Sequence, residues 1–391
     1  MVVRLADRMS VLGTESAFAV LAKARALEAQ GRRVVHLEIG EPDFPTPAHV
    51  VAAGQRALEQ GLTRYVPSAG ILPLRESVAA HLARTGRLET APDQVVITPG
   101  GKPVMFFTLL ALCQAGDEVI CPDPGFPMYA SITAATGAVP VPLPLREANG
   151  FRLDPDELRS LVTPRTRVLV LNSPHNPCGS VLTAEDVQQV AQIALEHDLV
   201  VLSDEIYSSL GYDGPCPSVL DVEGMPERTV LLDGWSKTFS MTGWRLGYGV
   251  FPADLVEPVT RLLVNSVSCV PEFVQRAGIA ALEGPWDAVE RMREEYRGRR
   301  DLVVERLNRI DGVRCVQPSG AFYAFPDITG LGRSSDTVAD DLLVRAGVAC
   351  LSGTSFGAYG EGFLRLSYAT AREELEAGLD AIAAYVEELG G

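Results

Sequence analysis

RVLVLNSPHN (167–176), LVVLSDEIY (199–207) and TVLLDGWSK (229–237) decide the architecture. Each is a short run of Val and Leu that ends in polar residues, with no polar residue alternating inside the run. A strand with one face in water would alternate, whereas a strand covered by helices on both faces would not. Turns containing Gly, Pro or Asn and longer stretches of helical periodicity separate such runs along the chain. Strand–helix alternation of this kind predicts an α/β fold with a mostly parallel sheet between helices.

Outward from these runs the theme repeats. Gln94 to Thr98 reads as a strand, Pro99 to Lys102 (PGGK) as a turn and Pro103 to Gln114 as a buried helix; Glu118 to Cys121 is a further strand. From about Gly284 the texture changes to a charged helix, Trp286 to Asn308, and to short strands at Val313 to Val316, Ala321 to Phe325 and Phe363 to Tyr368. The expected organisation is a large domain over 45–285 and a smaller α/β domain over 286–391, joined by the N-terminal segment 1–44 with its helix near Ser16 to Gln30.

Composition excludes several classes. The 391 residues are 47% hydrophobic and 21% charged, the makeup of a globular protein. Fifty acidic against 34 basic residues leave a net charge of −16, which repels nucleic acid and anionic membranes. The longest apolar run, Val104 to Cys113, falls short of the ~20 residues that span a bilayer, and MVVRLADRMS lacks the layout of a secretory signal. A soluble, cytoplasmic chain is expected. Its seven scattered cysteines include no C-x-x-C pair and its five histidines no H-x-x-x-H pattern, so neither a disulfide framework nor a metal site is expected.

The chemistry sits where ligands of open α/β sheets bind, beyond the carboxyl ends of the strands. Asn176, Asp204 and Lys237 follow three successive strands and bring an amide, a carboxylate and an amine to one edge. Desolvation there favours a neutral amine, which can form a Schiff base with an aldehyde. The PGGK turn opens a helix whose free N–H groups suit a phosphate. Aldehyde plus phosphate suggests pyridoxal 5′-phosphate (PLP). One decoy, Gly353 to Gly357 (GTSFG), has the letters of a serine-hydrolase elbow, but a loop and a strand follow it rather than the helix that motif requires.

GEPDFPTP (40–47), TRYVPSAG (63–70), TPGGK (98–102), DPGFPMY (123–129), NSPHNPCG (172–179), SDEIY (203–207), WSKTFSMTGWRLG (235–247), SGAFY (319–323) and FLRLSYA (363–369) occur in this order. Together they resemble the class I/II aminotransferases of the PLP fold-type I family, over nearly the whole chain. The resemblance implies that Lys237 holds PLP as a Schiff base and shuttles the substrate Cα proton, with Asp204 paired to the pyridine nitrogen. It further implies that Asn176 and Tyr207 bond the cofactor 3-oxygen, that Arg245 with the backbone of Gly101 and Lys102 holds the phosphate, and that Phe126 stacks on the ring. Arg365, with Gly40 and Asn176, would grip the substrate α-carboxylate. Tyr65 would reach the phosphate of a neighbouring subunit, in a homodimer with shared active sites.

The implied activity is ping-pong transfer of an amino group from an L-amino acid to a 2-oxo acid, aspartate-like or broad in specificity. A C–S β-lyase, a replacement enzyme or a specialised biosynthetic enzyme on the same scaffold is the alternative. Four positions depart from the pattern or complicate it. Gly234 stands where many relatives carry a phosphate-binding serine, and Trp235 is bulkier than usual. Lys102 stands where some aspartate aminotransferases meet a distal carboxylate, yet Glu15 belongs to the segment lining that pocket.

Overall fold

The computed structural model describes residues 3–390. In chain order its strands are β1 (Val35–His36), β2 (Val95–Thr98), β3 (Glu118–Asp123), β4 (Val139–Pro144), β5 (Thr166–Asn172), β6 (Val200–Asp204), β7 (Thr229–Gly234), β8 (Gly247–Val250), β9 (Tyr323–Ala324), β10 (Val348–Ala349), β11 (Leu351–Ser352) and β12 (Leu364–Ser367). Seven of them form one sheet in the order β2-β8-β7-β6-β5-β3-β4. Neighbours are parallel except at β8, which runs against both β2 and β7.

The unbroken apolar runs follow from burial on both faces. Val168 and Val170 pack with Leu202 and Val230 in one cluster, while the intervening Leu169 and Leu171 pack with Val201 in another. Successive strand residues point to opposite faces, so a strand sandwiched by helices needs an apolar residue at every position. Burying each such Leu or Val contributes ~1.5–3 kcal/mol. The helix Ala184–Glu196, which links β5 to β6, starts at a capping box. The Thr183 hydroxyl accepts from the Asp186 N–H and the Asp186 carboxylate from the Thr183 N–H, satisfying donors a helix start leaves free.

Two strands of this sheet escape the sequence pattern. β4 (VPVPLP) carries prolines at alternate positions, which an edge strand tolerates because one row of its groups is unpaired. β8 (GYGV) is central but rich in glycine. A Cβ on Gly247 would lie 2.5 Å from the backbone of Gly100, and one on Gly234 would lie 2.8 Å from the Gly247 Cα. Close passage of β7, β8 and the 99–102 turn therefore demands glycine where propensity argues against it.

The remaining strands form a three-stranded antiparallel sheet, β11-β12-β9, and a parallel pair, β1-β10. They pack with the helix Asp287–Leu307 and the C-terminal helix Arg372–Gly390 around Tyr296, Phe322, Leu366 and Leu379. The strand expected at Val313 to Val316 is not one: Arg314 makes only an isolated bridge to Asp327. The strand expected over Ala321 to Phe325 shrinks to Tyr323–Ala324, because Ala321 adopts a left-handed φ of 57° that breaks the extended run. Among the described residues no helix is long and apolar enough to cross a membrane, and all seven cysteines are free thiols.

Candidate active site

Six strands of the large sheet end at one edge, at Thr98, Asp123, Pro144, Asn172, Asp204 and Gly234, and the reversed β8 begins there at Gly247. A cavity of about 560 Å³ opens at this edge, lined by Gly40, Gly101, Lys102, Phe126, Asn176, Asp204, Tyr207, Lys237, Arg245 and Arg365. All the residues to which the resemblance gives a cofactor or substrate role meet here except Tyr65. That side chain is 89% exposed and lies outside this chain's own cavity.

Lys237 lies in the short helix Trp235–Thr238 that directly follows β7. Its half-buried ammonium donates to the Gly40 carbonyl at 2.5 Å. Desolvation by burial lowers its pKa to about 8, against the opposing pull of the Glu41 and Glu15 charges; Arg365 and Arg245 lower it further. A substantial neutral fraction is thus available for nucleophilic attack near neutral pH.

Asp204 closes β6. Burial raises its pKa to about 6, although the Tyr129 hydroxyl, 2.7 Å from Oδ2, and the Ile206 N–H, 3.2 Å from Oδ1, stabilise the anion. A buried carboxylate this reluctant to ionise gains most from an adjacent cation. Asn172, the last residue of β5, accepts from the Asn176 N–H at 2.8 Å and donates its own amide to the Asp204 carbonyl at 3.0 Å, which ties the two loops together. The Tyr207 and Tyr323 hydroxyls share a hydrogen bond of 2.7 Å.

Arg365, on β12, is 4% exposed. Its guanidinium donates to Asn176 Oδ1 at 3.3 Å and to the Glu38 carbonyl, and it lies over the rings of Tyr323 and Phe356. Nε has no partner, and burial lowers the pKa. Such a group calls for an anion, and a carboxylate offers two oxygens in matching geometry. Arg245 instead sits in the loop before β8, exposed, with a left-handed φ of 56°; its guanidinium bonds the Thr242 carbonyl at 2.5 Å. The helix Lys102–Leu112 points its N-terminus at the cavity, and its first N–H groups have no helical acceptor. The residues present fit PLP: an anion-binding helix start, a carboxylate for a pyridinium and an amine of lowered pKa line one cavity.

The departures acquire physical reasons. Gly234 is required by its contact with β8, which leaves no room for serine. Trp235 is buried away from the cavity, its indole N–H donating to the Gly278 carbonyl at 3.1 Å. Lys102 forms an ion pair with Glu15, and its ammonium lies 5.7 Å from the Phe126 ring centre. Phe126 is half-buried and meets Tyr129 edge-on. In the GTSFG stretch Gly353–Phe356 forms one short 3-10 turn after β11 instead of the helix a nucleophile elbow requires, and Phe356 rather than Ser355 lines the cavity. Tyr129, Asn172 and Tyr323 were missed as site residues, although each lies within a quoted motif. Only three-dimensional contact shows what they touch.

The fold and cavity define an α/β enzyme of the PLP fold-type I architecture. Residues 32–382 match the family described as aminotransferase class I and II. The chain is 41% identical over 388 residues to the aromatic-amino-acid aminotransferase 2 of Thermococcus litoralis and 40% identical over 388 residues to the aspartate aminotransferase of Pyrococcus abyssi. Both alignments cover 98% of each chain. The solved aspartate aminotransferase of Thermus thermophilus with maleate is 39% identical and superposes with a TM-score of 0.94, covering 98% of this chain and 100% of that one. The chain belongs to the class I and II aminotransferase family, and it is a PLP-dependent transaminase.

Proposed function

We propose that this transaminase is broad in specificity, accepting aspartate-like and aromatic L-amino acids as donors and 2-oxoglutarate as acceptor in a ping-pong cycle. One observation carries the substrate reading: the buried Arg365 guanidinium, with Nε unpartnered, lies across the cavity that also holds Lys237 and Asp204. Bound there, PLP supplies an electron sink for the bond broken at the substrate Cα. Arg365 and Asn176 orient the substrate through its α-carboxylate. The Lys237 amine takes the Cα proton and returns one, a role suited to a pKa brought near neutrality. Asp204 would hold a proton on the pyridine nitrogen, Tyr207 and Asn176 would bond the cofactor 3-oxygen, and Phe126 would stack on the ring. Arg245 with the Gly101 and Lys102 backbone would hold the phosphate.

The Glu15–Lys102 ion pair supports breadth. With Lys102 neutralised the distal pocket accepts apolar side chains beside Phe356, and a substrate carboxylate competes with Glu15 for the same ammonium. The relatives' names include both aspartate and aromatic-amino-acid enzymes. The same reading makes 45–285 the cofactor-binding domain, with 1–44 and 286–391 as its smaller counterpart. It assembles two chains in a cytoplasmic homodimer so that Tyr65, exposed here, completes the neighbour's phosphate site. The test is to add single amino acids to PLP-loaded protein without any oxo acid and follow the visible spectrum, with Lys237→Ala as control. Conversion of bound PLP to its amine form by aspartate and phenylalanine supports the proposal; release of ammonia and pyruvate without an acceptor refutes it.

A further inference from the structure

Just outside the cavity lies a largely buried charge cluster that does not touch substrate space; its two carboxylates are buried and its guanidinium is 16% exposed. Successive strand residues point to opposite faces. Asp204 and Leu232 line the cavity, so Glu205 and Asp233, which follow them, turn away from it. Arg87, in the loop after the helix Leu72–Arg84, meets both: Nη1 donates to Asp233 Oδ2 at 2.7 Å and Nη2 donates to Glu205 Oε2. The other oxygens are also satisfied. Glu205 Oε1 accepts from Ser203 and Ser218 at 2.8 and 2.5 Å, and Asp233 Oδ1 accepts from the Gly234 N–H at 2.7 Å. Glu205 is 4% and Asp233 5% exposed.

Burying ions is costly, and apolar packing would pin the same strands at least as well. The position of the cluster argues for a role beyond pinning. Glu205 is bonded to Asp204, Asp233 lies four residues before Lys237, and the carbonyl of Leu232 accepts from the Glu205 N–H at 2.9 Å. One guanidinium against two carboxylates leaves a net negative charge behind Asp204. Burial is the main force against its ionisation and both acids add to it, while the Tyr129 hydroxyl and the Ile206 N–H favour it.

We propose that Arg87 is a positioning and charge-balancing residue for the cofactor site, pinning the ends of β6 and β7 and offsetting Glu205 and Asp233 so that Asp204 remains anionic toward PLP. Arg87 contacts no reacting atom and acts through Asp204. The inference rests on the assignment of Asp204 to the pyridine nitrogen.

The test uses the full chain stripped of cofactor and measures PLP affinity from pH 5 to 9 for the wild type and for Arg87→Met, Arg87→Lys, Glu205→Gln and Asp233→Asn. In the wild type, affinity weakens as Lys237 protonates below about pH 8, and a second, acid limb near pH 6 reports protonation of Asp204. Removing the cation moves this acid limb up by roughly one pH unit, and removing either anion moves it down by a similar amount. Arg87→Lys, which keeps the charge, leaves it close to the wild type. Limbs that do not move, or that move the same way for cation and anion removal, overturn the proposal even if affinity drops. If Arg87→Met fails to fold, the two acid-to-amide variants still decide the sign. A wild type whose PLP affinity has no acid limb refutes the role of Asp204, and this inference with it.

Discussion

The amine that makes Lys237 reactive should also destabilise the protein until PLP engages it. Its pKa of about 8, against the ordinary 10.5, means that the folded chain disfavours the ammonium relative to the unfolded chain. That gap corresponds to about 3 kcal/mol, and because Lys237 is only half-buried the expected effect is discounted to about 2 kcal/mol. Lys237→Met keeps the length of the side chain and removes the charge. It also removes the bond to the Gly40 carbonyl, which water in the open cavity can replace.

The cofactor-free variant should therefore be more stable than the cofactor-free wild type at pH 7. For a chain of this size, 2 kcal/mol corresponds to a rise in Tm of roughly 2–3 °C. The pH dependence gives the sharper test. A group whose folded pKa is lowered binds fewer protons folded than unfolded between the two values, so wild-type stability rises as pH passes from about 8 to 10.5. The advantage of the methionine variant should be full below pH 8 and absent above about 10.5. Thermal unfolding by circular dichroism across that range measures it. A variant less stable at pH 7, or an advantage that persists unchanged to pH 10.5, would show that Lys237 is not under electrostatic strain and would refute the reasoning.

Arg365→Lys should raise KM for the amino donor by roughly 10–100-fold and leave kcat within a few-fold, because a lysine cannot reproduce a bidentate grip that is the same in ground and transition states; steady-state kinetics with aspartate decides it, and an unchanged KM would place the α-carboxylate elsewhere. Asp204→Asn keeps the volume but removes the buried anion, and kcat should fall by on the order of 100-fold or more with PLP still detectable by absorbance. Glu15→Gln should free Lys102 and raise kcat/KM for aspartate relative to phenylalanine by about tenfold. Paired kinetics with the two donors measures that ratio, and no change would remove Glu15 from substrate selection.

What the sequence revealed and what it concealed divide along one physical line. Val168 to Leu171, Val200 to Leu202 and Val230 to Leu232 were legible as strands because burial on two faces constrains every residue of the run itself. Asp204 and Lys237 stood out for the same reason, since polar groups that end such runs must lie at the sheet edge. The constraint on β8 is not in its own residues but in the distance to Gly100 and Gly234, so GYGV carried no strand signal. The tyrosine that holds Asp204 comes from residue 129, and Asn176 meets its guanidinium partner from β12, 189 positions away in sequence. Arg87 is the extreme case. Nothing in the residues flanking it announces a buried cation, because the two carboxylates that require it arrive from β6 and β7. Local runs therefore give the sheet and the polar residues at its edge, while the charge balance behind that edge exists only once the strands are side by side.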